Sequence, residues 1–403
     1  MTIVATSPLD GITGISASRF GVYVHFPYCL SKCPYCDFAS VVSREIPQQS
    51  YARAIVAEMD LRLAELSSLA ARRVDSIFFG GGTPSLWEPT CIDQVLEAIR
   101  RRFDCDLSAE ITLEANPGAV DASRFNGFRE AGVNRLSIGV QSFQSSTLHA
   151  LGREHDGEAA AKAFQIARAA GFGNVSMDFI YGVHGQTLEQ VLSDVRRAVS
   201  MGPEHLSAYA LTLERETLAE EVPLGKQLER GEITLPADDI VIAMARGVRE
   251  TCEASGLIRY EISNYARPGF HSRHNSLYWT GGEYLGLGAG AAGYARAPSP
   301  LRYSNHRSPD RYLREVVEGR RPEAWRESLG NRELFEERVA MGLRLSNGID
   351  LEAACLEFDQ PIERRREEVQ RLIAGGFARR EGTRISLTEA GSNVHSSVCA
   401  RLI

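Results

Sequence analysis

From residue 20 to 236 the chain alternates short apolar, β-branched and aromatic runs with longer stretches where apolar residues recur every three or four positions. The runs at 20–26, 74–79, 110–114, 135–140, 174–181 and 205–213 read as strands. The stretches at 47–69, 89–103, 122–131, 157–170 and 187–200 read as helices; Tyr51, Ile55, Met59 and Leu66 hold helical spacing in the first. Several helices stop at glycine, as in Ala131-Gly132, Ala170-Gly171 and Met201-Gly202, the residue that best takes the left-handed conformation after a last turn. Repeated β-α units predict a parallel sheet with right-handed crossovers. The repeats fall short of the eight that close a full barrel. The expected fold is therefore α/β, a partial (β/α)6 TIM-like barrel.

The rhythm changes after 236. Residues 238–255 read as one helix, and 257–306 are rich in Tyr, Gly, His and Asn. From 331 the pattern gives helices at 333–343 and 361–373, then strands at 377–380 and 384–387 joined by a turn at Gly382-Thr383. Helix followed by β-ribbon is a winged-helix pattern. The expected division is a disordered tail over 1–19, the partial barrel over 20–236, a connecting region over 237–330, and an α+β winged-helix-like domain over 331–403.

Charge and composition narrow the classes. The hydrophobic fraction of 43% and charged fraction of 24% are those of a globular protein, and the net charge is −7. No global basic field attracts nucleic acid. In the last domain Arg364, Arg365 and Arg366 run into Glu367 and Glu368, the mark of a solvated helix face. No apolar run is long enough to span a bilayer, and residues 1–18 show neither a charged n-region nor an apolar h-region. The expectation is a cytoplasmic protein with reduced thiols, in which clustered cysteines act as metal ligands.

One cluster fits. Cys29, Cys33 and Cys36 follow the first strand with C-x3-C-x2-C spacing. Three thiolates with His25 as a fourth ligand could hold structural zinc; three thiolates on an iron–sulfur cubane would leave one iron open. Spacing alone leaves both readings standing. No Cys-x-x-Cys-His occurs, since Cys33-Pro-Tyr-Cys36 is followed by Asp37, so covalent c-type heme is not expected there. Other unusual residues also fall at the carboxyl ends of predicted strands, where α/β folds place their chemistry. They are Gly80-Gly81-Gly82-Thr83-Pro84, Glu114-Ala-Asn116-Pro117-Gly118, Gln141-Ser-Phe143, Asp178, and Tyr209-Ala210.

A C-x3-C-x2-C loop after the first strand of a partial barrel resembles the radical S-adenosylmethionine (SAM) superfamily. That resemblance implies a [4Fe–4S] cluster on Cys29, Cys33 and Cys36, with SAM chelating the open iron and a glycine-rich segment receiving its amino group. Further motifs are Tyr23-Val-His-Phe-Pro27, Arg135-Leu-Ser-Ile-Gly-Val-Gln141, Leu151-Gly-Arg153-Glu-His155 and Tyr260-Glu-Ile-Ser-Asn-Tyr265. Together they resemble the oxygen-independent coproporphyrinogen III oxidase family over residues 20–403. True oxidases carry a fourth cysteine where this chain has Phe38. The other branch, the HemW-type heme chaperones, ends the loop Cys-Asp-Phe, as at Cys36-Asp37-Phe38. It also carries the heme-linked segment seen here as His274-Asn275-Ser-Leu-Tyr278-Trp279.

The resemblance implies that Tyr23, Tyr35, Gly81, Gly82, Thr83, Glu114, Gln141, Arg153, Asp178 and Ala210 line SAM pockets. It implies that His274 is a heme ligand, with His271 a competitor in the same segment. The implied function is heme chaperoning toward an acceptor protein that the sequence does not name, without coproporphyrinogen oxidase activity; an acceptor at a membrane surface is compatible. The alternative is the oxidase itself. One departure from the family is His184 in Tyr181-Gly-Val-His184-Gly-Gln-Thr187, where proline is usual; it reads as a tolerated loop change.

Overall fold

A computed structural model describes residues 19–213 and 222–403. The tail expected over 1–19 lies outside the described residues except for its last position. Strands β1 (Phe20–Phe26), β2 (Arg73–Gly81), β3 (Asp104–Ala115), β4 (Arg135–Gln141), β5 (Val175–Tyr181) and β6 (His205–Ala210) stand side by side in chain order, each parallel to the next. Helices α1 (Gln48–Glu65), α2 (Pro89–Arg102), α3 (Ala122–Ala131), α4 (Gly157–Ala169) and α5 (Leu188–Ser200) make the crossovers. Strands covered on both faces are apolar almost without interruption: every residue of β1 except Tyr23 is buried. The helix ends follow local chemistry. Asp121 accepts from the Arg124 amide to start α3, and Gly132 ends it at φ 109°.

The sheet does not stop at β1 and β6. After α6 (Asp238–Ala254), strands β7 (Ile258–Arg259) and β8 (Asn264–Ala266) add antiparallel pairs beyond β6. Helix α7 (Arg273–Trp279) follows. Then β9 (Glu283–Leu287) pairs parallel with β1, and β10 (Ala292–Ala295), β11 (Leu301–Asn305) and β12 (Glu323–Ser328) continue antiparallel outward. The result is one twelve-stranded sheet. The connecting region is thus largely an extension of the barrel sheet, which its composition did not announce. Its glycines explain the weak pattern: a β-carbon on Gly286 would lie 1.8 Å from the Ala292 oxygen, and one on Gly293 2.3 Å from the Tyr303 ring. These positions give up side chains so that neighbours fit.

A buried polar network locks this extension to the first repeat. Glu58 on α1 accepts from the Gly288 amide at 2.8 Å, Asn305 Nδ2 at 2.7 Å and Tyr312 Oη at 2.8 Å; Tyr312 lies on α8 (Pro309–Val317). Arg62, one turn on from Glu58, pairs with Glu58 and Glu323, donates to Asn305, and lies 3.6 Å over the Tyr303 ring. Both Glu58 and Arg62 are fully buried.

The last unit contains α9 (Asn331–Gly342), β13 (Ile349–Asp350), α10 (Leu351–Glu357), α11 (Glu363–Ala374), β14 (Ala378–Glu381), β15 (Arg384–Leu387) and α12 (His395–Leu402), with β15 between β13 and β14. It has its own apolar cluster around Phe335, Val339, Leu372 and Ile385. Most of its arginines are engaged within it. Arg366 and Arg380 face Glu352, Arg371 and Arg401 face Glu368, Arg365 donates to carbonyls at the chain end, and Arg384 donates to the Asn347 and Gly348 oxygens. Glu389 bridges to Arg246 and Arg249 on α6.

Removing one partner of a buried ion pair leaves an uncompensated charge, at a cost of about 3–5 kcal/mol. Arg62→Ala is therefore expected to lower the unfolding free energy by that order in a denaturant titration, whereas Arg332→Ala, on an exposed i,i+4 pair with Glu336, should leave it essentially unchanged.

Candidate functional site

The cysteine loop leaves β1 at Pro27 and is held on several sides. Tyr28–Cys29 pairs in parallel with Val41–Val42, and the Cys36 amide donates to the Cys33 oxygen at 3.1 Å. The glycine-rich end of β2 lies directly beneath. The Gly82 amide donates to the Phe26 oxygen at 2.7 Å and the Thr83 amide to the Tyr28 oxygen at 2.9 Å. A β-carbon on Gly82 would sit 2.8 Å from the Tyr28 oxygen and 3.0 Å from Cys29 Sγ, so only glycine allows this approach.

His25 organises the junction. Its Nε2 lies 2.9 Å from the Ala39 oxygen and its Nδ1 2.9 Å from Tyr23 Oη. A carbonyl can only accept, so Nε2 carries the proton and Nδ1 accepts from the tyrosine. Burial and nearby Arg307 hold the ring neutral, with its pKa lowered to about 4. The His25 oxygen accepts from Tyr51 Oη at 2.8 Å. Gly81, at φ 116°, makes room: a β-carbon there would lie 2.6 Å from the imidazole. With both nitrogens engaged, His25 offers no lone pair as a fourth zinc ligand. Among the described residues no group of three or more His, Cys, Asp or Glu is placed to hold a single metal ion.

All three cysteines are free and partly exposed. Thr83 Oγ1 donates to Cys29 Sγ and Arg153 Nη1 to Cys33 Sγ, each at 3.4 Å. Arg153 is held by the Gly139 oxygen at 3.2 Å and by Tyr35. Burial raises the thiol pKa of Cys29 and Cys36; at Cys29 the Thr83 hydroxyl and the Arg153 charge work the other way by favouring thiolate. Three thiols ringed by a cation and a hydroxyl, with a glycine floor, fit an iron–sulfur cluster held by three ligands.

The other expected residues fall mostly around this loop and the barrel interior. Glu114 accepts from the Gly81 amide at 3.0 Å, and burial together with the negative charge of Asp178 pushes its pKa up to about 8. Gln141 adopts φ 64°, a strained value for a side-chain-bearing residue. Asp178 accepts from Ser137 at 2.7 Å and Ser176 at 2.8 Å. Tyr35 packs with Leu213, Val222 and Leu224, and the Leu224 amide donates to the Pro34 oxygen at 2.8 Å. Ala210 is exposed at the end of β6. His184, the departure from the family pattern, contacts the Thr234 backbone at 2.8 Å. Phe38 is 52% exposed beside Cys36.

His274 sits elsewhere. It lies 1% exposed on α7, toward the amino ends of β1 and β2 and so opposite the cysteine loop. Its Nδ1 is 2.9 Å from Ser76 Oγ and its Nε2 2.9 Å from Tyr278 Oη. The ring stacks with Phe78 at 5.2 Å and Tyr23 at 6.2 Å. In this arrangement neither nitrogen faces an open coordination position. Its competitor His271 is less buried and lies tilted against the Tyr260 ring, centroids 4.5 Å apart. Sequence reasoning also passed over Ser76, Ser137, Ser176, His205 and Tyr51, which meet the expected residues only through the fold.

A radical SAM superfamily model matches residues 23–198 and a HemN C-terminal domain model residues 329–394. The coproporphyrinogen III oxidase HemN of Escherichia coli superposes with a TM-score of 0.77 at 21% identity, covering 97% of this chain and 92% of that one, a likeness of fold. The barrel and its cysteine loop are therefore those of a radical SAM protein. The heme chaperone HemW of Mycobacterium tuberculosis is 35% identical over 398 residues, 98% of this chain and 97% of that protein. That of Escherichia coli K12 is 38% identical over 318 residues, 78% and 80% of the two chains. The chain belongs to the HemW family.

Glu114 yields a prediction with a definite sign. Without ligand its carboxyl is protonated below about 8, and a cationic ligand binds the ionised form. Affinity for S-adenosylmethionine, a sulfonium, should rise with pH up to about 8, by at most about tenfold per unit. At pH 7 binding should release up to one proton, measured by anaerobic calorimetry in buffers of differing ionisation enthalpy. Glu114→Gln should reduce both the pH dependence and the release, leaving the share of the ligand's own amino group; a release and slope unchanged from wild type would remove Glu114 from the linkage.

Proposed function

We propose that this chain is a heme chaperone that holds a [4Fe–4S] cluster and S-adenosylmethionine in its barrel and passes heme to an acceptor protein. The observation that carries the reading is similarity along nearly the whole chain to a protein named heme chaperone HemW. Phe38, in place of the oxidases' fourth cysteine, supports it over coproporphyrinogen III oxidation. Cys29, Cys33 and Cys36 would hold the cluster, with Arg153 and Thr83 stabilising its sulfur charge. Tyr23, Tyr35, Gly81, Gly82, Thr83, Glu114, Gln141, Asp178 and Ala210 would surround S-adenosylmethionine. When bound, the cluster supplies one-electron chemistry at its open iron. In this reading the protein acts in the cytoplasm, where reducing conditions keep the three cysteines as thiols.

His274 ligates heme iron in this reading only after α7 moves and the bonds to Ser76 and Tyr278 break, because a ligating imidazole needs a free nitrogen lone pair. Two measurements test the proposal. Anaerobically reconstituted protein should carry about four irons per chain, bind hemin, and make no protoporphyrinogen from coproporphyrinogen III with reductant and S-adenosylmethionine; protoporphyrinogen formation would establish the oxidase instead. His274→Ala should change the Soret band of the hemin complex, and an unaltered spectrum would assign the iron ligand to another residue, with His271→Ala the next variant to record.

A further inference from the structure

Asp178 is tied to a chain of buried groups that the function proposed above leaves unused. One carboxylate oxygen accepts from Ser137 Oγ at 2.7 Å and the other from Ser176 Oγ at 2.8 Å. Ser176 Oγ is also 2.8 Å from His205 Nδ1 and 3.4 Å from Ser207 Oγ. His205 Nε2 is 2.9 Å from Tyr260 Oη, and that oxygen accepts from the Ser272 amide at 3.3 Å. Ser176, His205 and Tyr260 are wholly buried, while Asp178 is partly exposed.

Counting protons fixes the direction of every bond. Ser176 has one hydroxyl proton, and an ionised carboxylate can only accept, so that proton goes to Asp178. His205 must then donate from Nδ1 to the serine oxygen. A neutral imidazole has one N–H, so Nε2 accepts, and Tyr260 is the donor. Burial, and after it the charge of Arg135, hold His205 neutral, its pKa well below the ordinary value. The Tyr260 hydroxyl is likewise kept protonated by burial and Glu261. The aligned dipoles run from Ser272 to Asp178, with the positive end of each link toward the carboxylate.

We propose that His205 and Tyr260 are positioning residues: through Ser176 they hold Asp178 as an oriented, acceptor-only carboxylate that receives hydroxyl or ammonium donors of the ligand in the barrel. The proposal rests on the reading of Asp178 as a pocket residue. A wholly buried histidine with a fixed tautomer transmits a defined hydrogen-bond polarity, which an apolar side chain of equal volume cannot.

Two measurements test it on the full chain. In protein labelled with 15N-histidine, long-range 15N–1H correlations report the tautomer of His205, identified by the signal lost in His205→Asn. The Nδ1–H tautomer at neutral pH is expected, and an Nε2–H tautomer or an imidazolium overturns the relay. S-adenosylmethionine binding, measured by anaerobic equilibrium dialysis, is compared across variants. His205→Leu, which removes the donor, should weaken binding about tenfold, the scale of a hydrogen bond to a charged group. His205→Asn keeps a donor at the position of Nδ1 and should bind near wild type, although both variants lose ring packing. Equal weakening in the two, tracking their thermal midpoints, reduces His205 to a structural residue and sinks the proposal. Weakening in Asp178→Asn without weakening in His205→Leu sinks the relay alone. Unchanged binding in Asp178→Asn removes Asp178 from the pocket, and the proposed role falls with it whatever the tautomer.

Discussion

The crowding of β1 against β2 at their carboxyl ends is the constraint on which the rest of the site depends. His25 fills the space that the missing side chain of Gly81 leaves, and Cys29 Sγ stands over Gly82. Any β-carbon at these positions would push the cysteine loop away from the barrel. Because the glycines let the loop settle, His25 Nε2 can reach the Ala39 oxygen on the far side of the three cysteines. The loop is thus closed across its base by one side-chain hydrogen bond and across its edge by the short pairing of Tyr28–Cys29 with Val41–Val42. Burial costs this imidazole its charge, and neutrality is what lets one nitrogen donate while the other accepts.

That junction is supported from behind. Tyr51 donates to the His25 oxygen and accepts from the Ala289 amide, so α1 links the first repeat to the turn after β9. Glu58 and Arg62, two and three turns further along α1, bind Gly288, Asn305 and Glu323 in the same extension. Packing of Phe26, Tyr28, Tyr51 and Trp87 fills the space between, with ring centroids 5.1 to 6.0 Å apart. The residues beyond the barrel repeats therefore brace the strand that launches the cysteine loop, rather than forming a separate appendage.

These dependencies differ in how far the sequence reveals them. The six barrel strands were legible because parallel strands buried on both faces are written as continuous apolar runs, and their helices end at glycines whose φ the fold needs. The cysteines and Gly80–Thr83 were legible because ligand spacing and close backbone approach are local properties. The sheet extension was not, since Gly286, Gly288 and Gly293 break its apolar pattern to admit the Ala292 carbonyl, Tyr51 and Tyr303. His205, Ser176 and Tyr260 were not either. The stretch of that buried hydrogen-bond chain from Ser176 to Tyr260 joins residues 84 positions apart, and it has no spacing rule; strand register sets Ser176 beside His205, and the fold brings Tyr260 to the same place.

The two ends of the barrel are joined through Tyr23. Its hydroxyl donates to His25 under the cysteine loop, while its ring stacks with Phe78 and His274 at the opposite end. His274 is fixed in turn by Ser76 on β2, by Tyr278 one turn along α7, and by Glu110, which accepts from its amide at 3.1 Å. A change that draws His274 away from this stack removes one wall of the Tyr23 ring and frees Ser76 inside the barrel. Under the proposed function, heme capture at His274 would not be independent of the cofactor end, because Tyr23 touches His274 on one side and His25 on the other. In that reading the shared tyrosine would be the physical basis for coupling between heme and cluster, without a separate pathway through the protein.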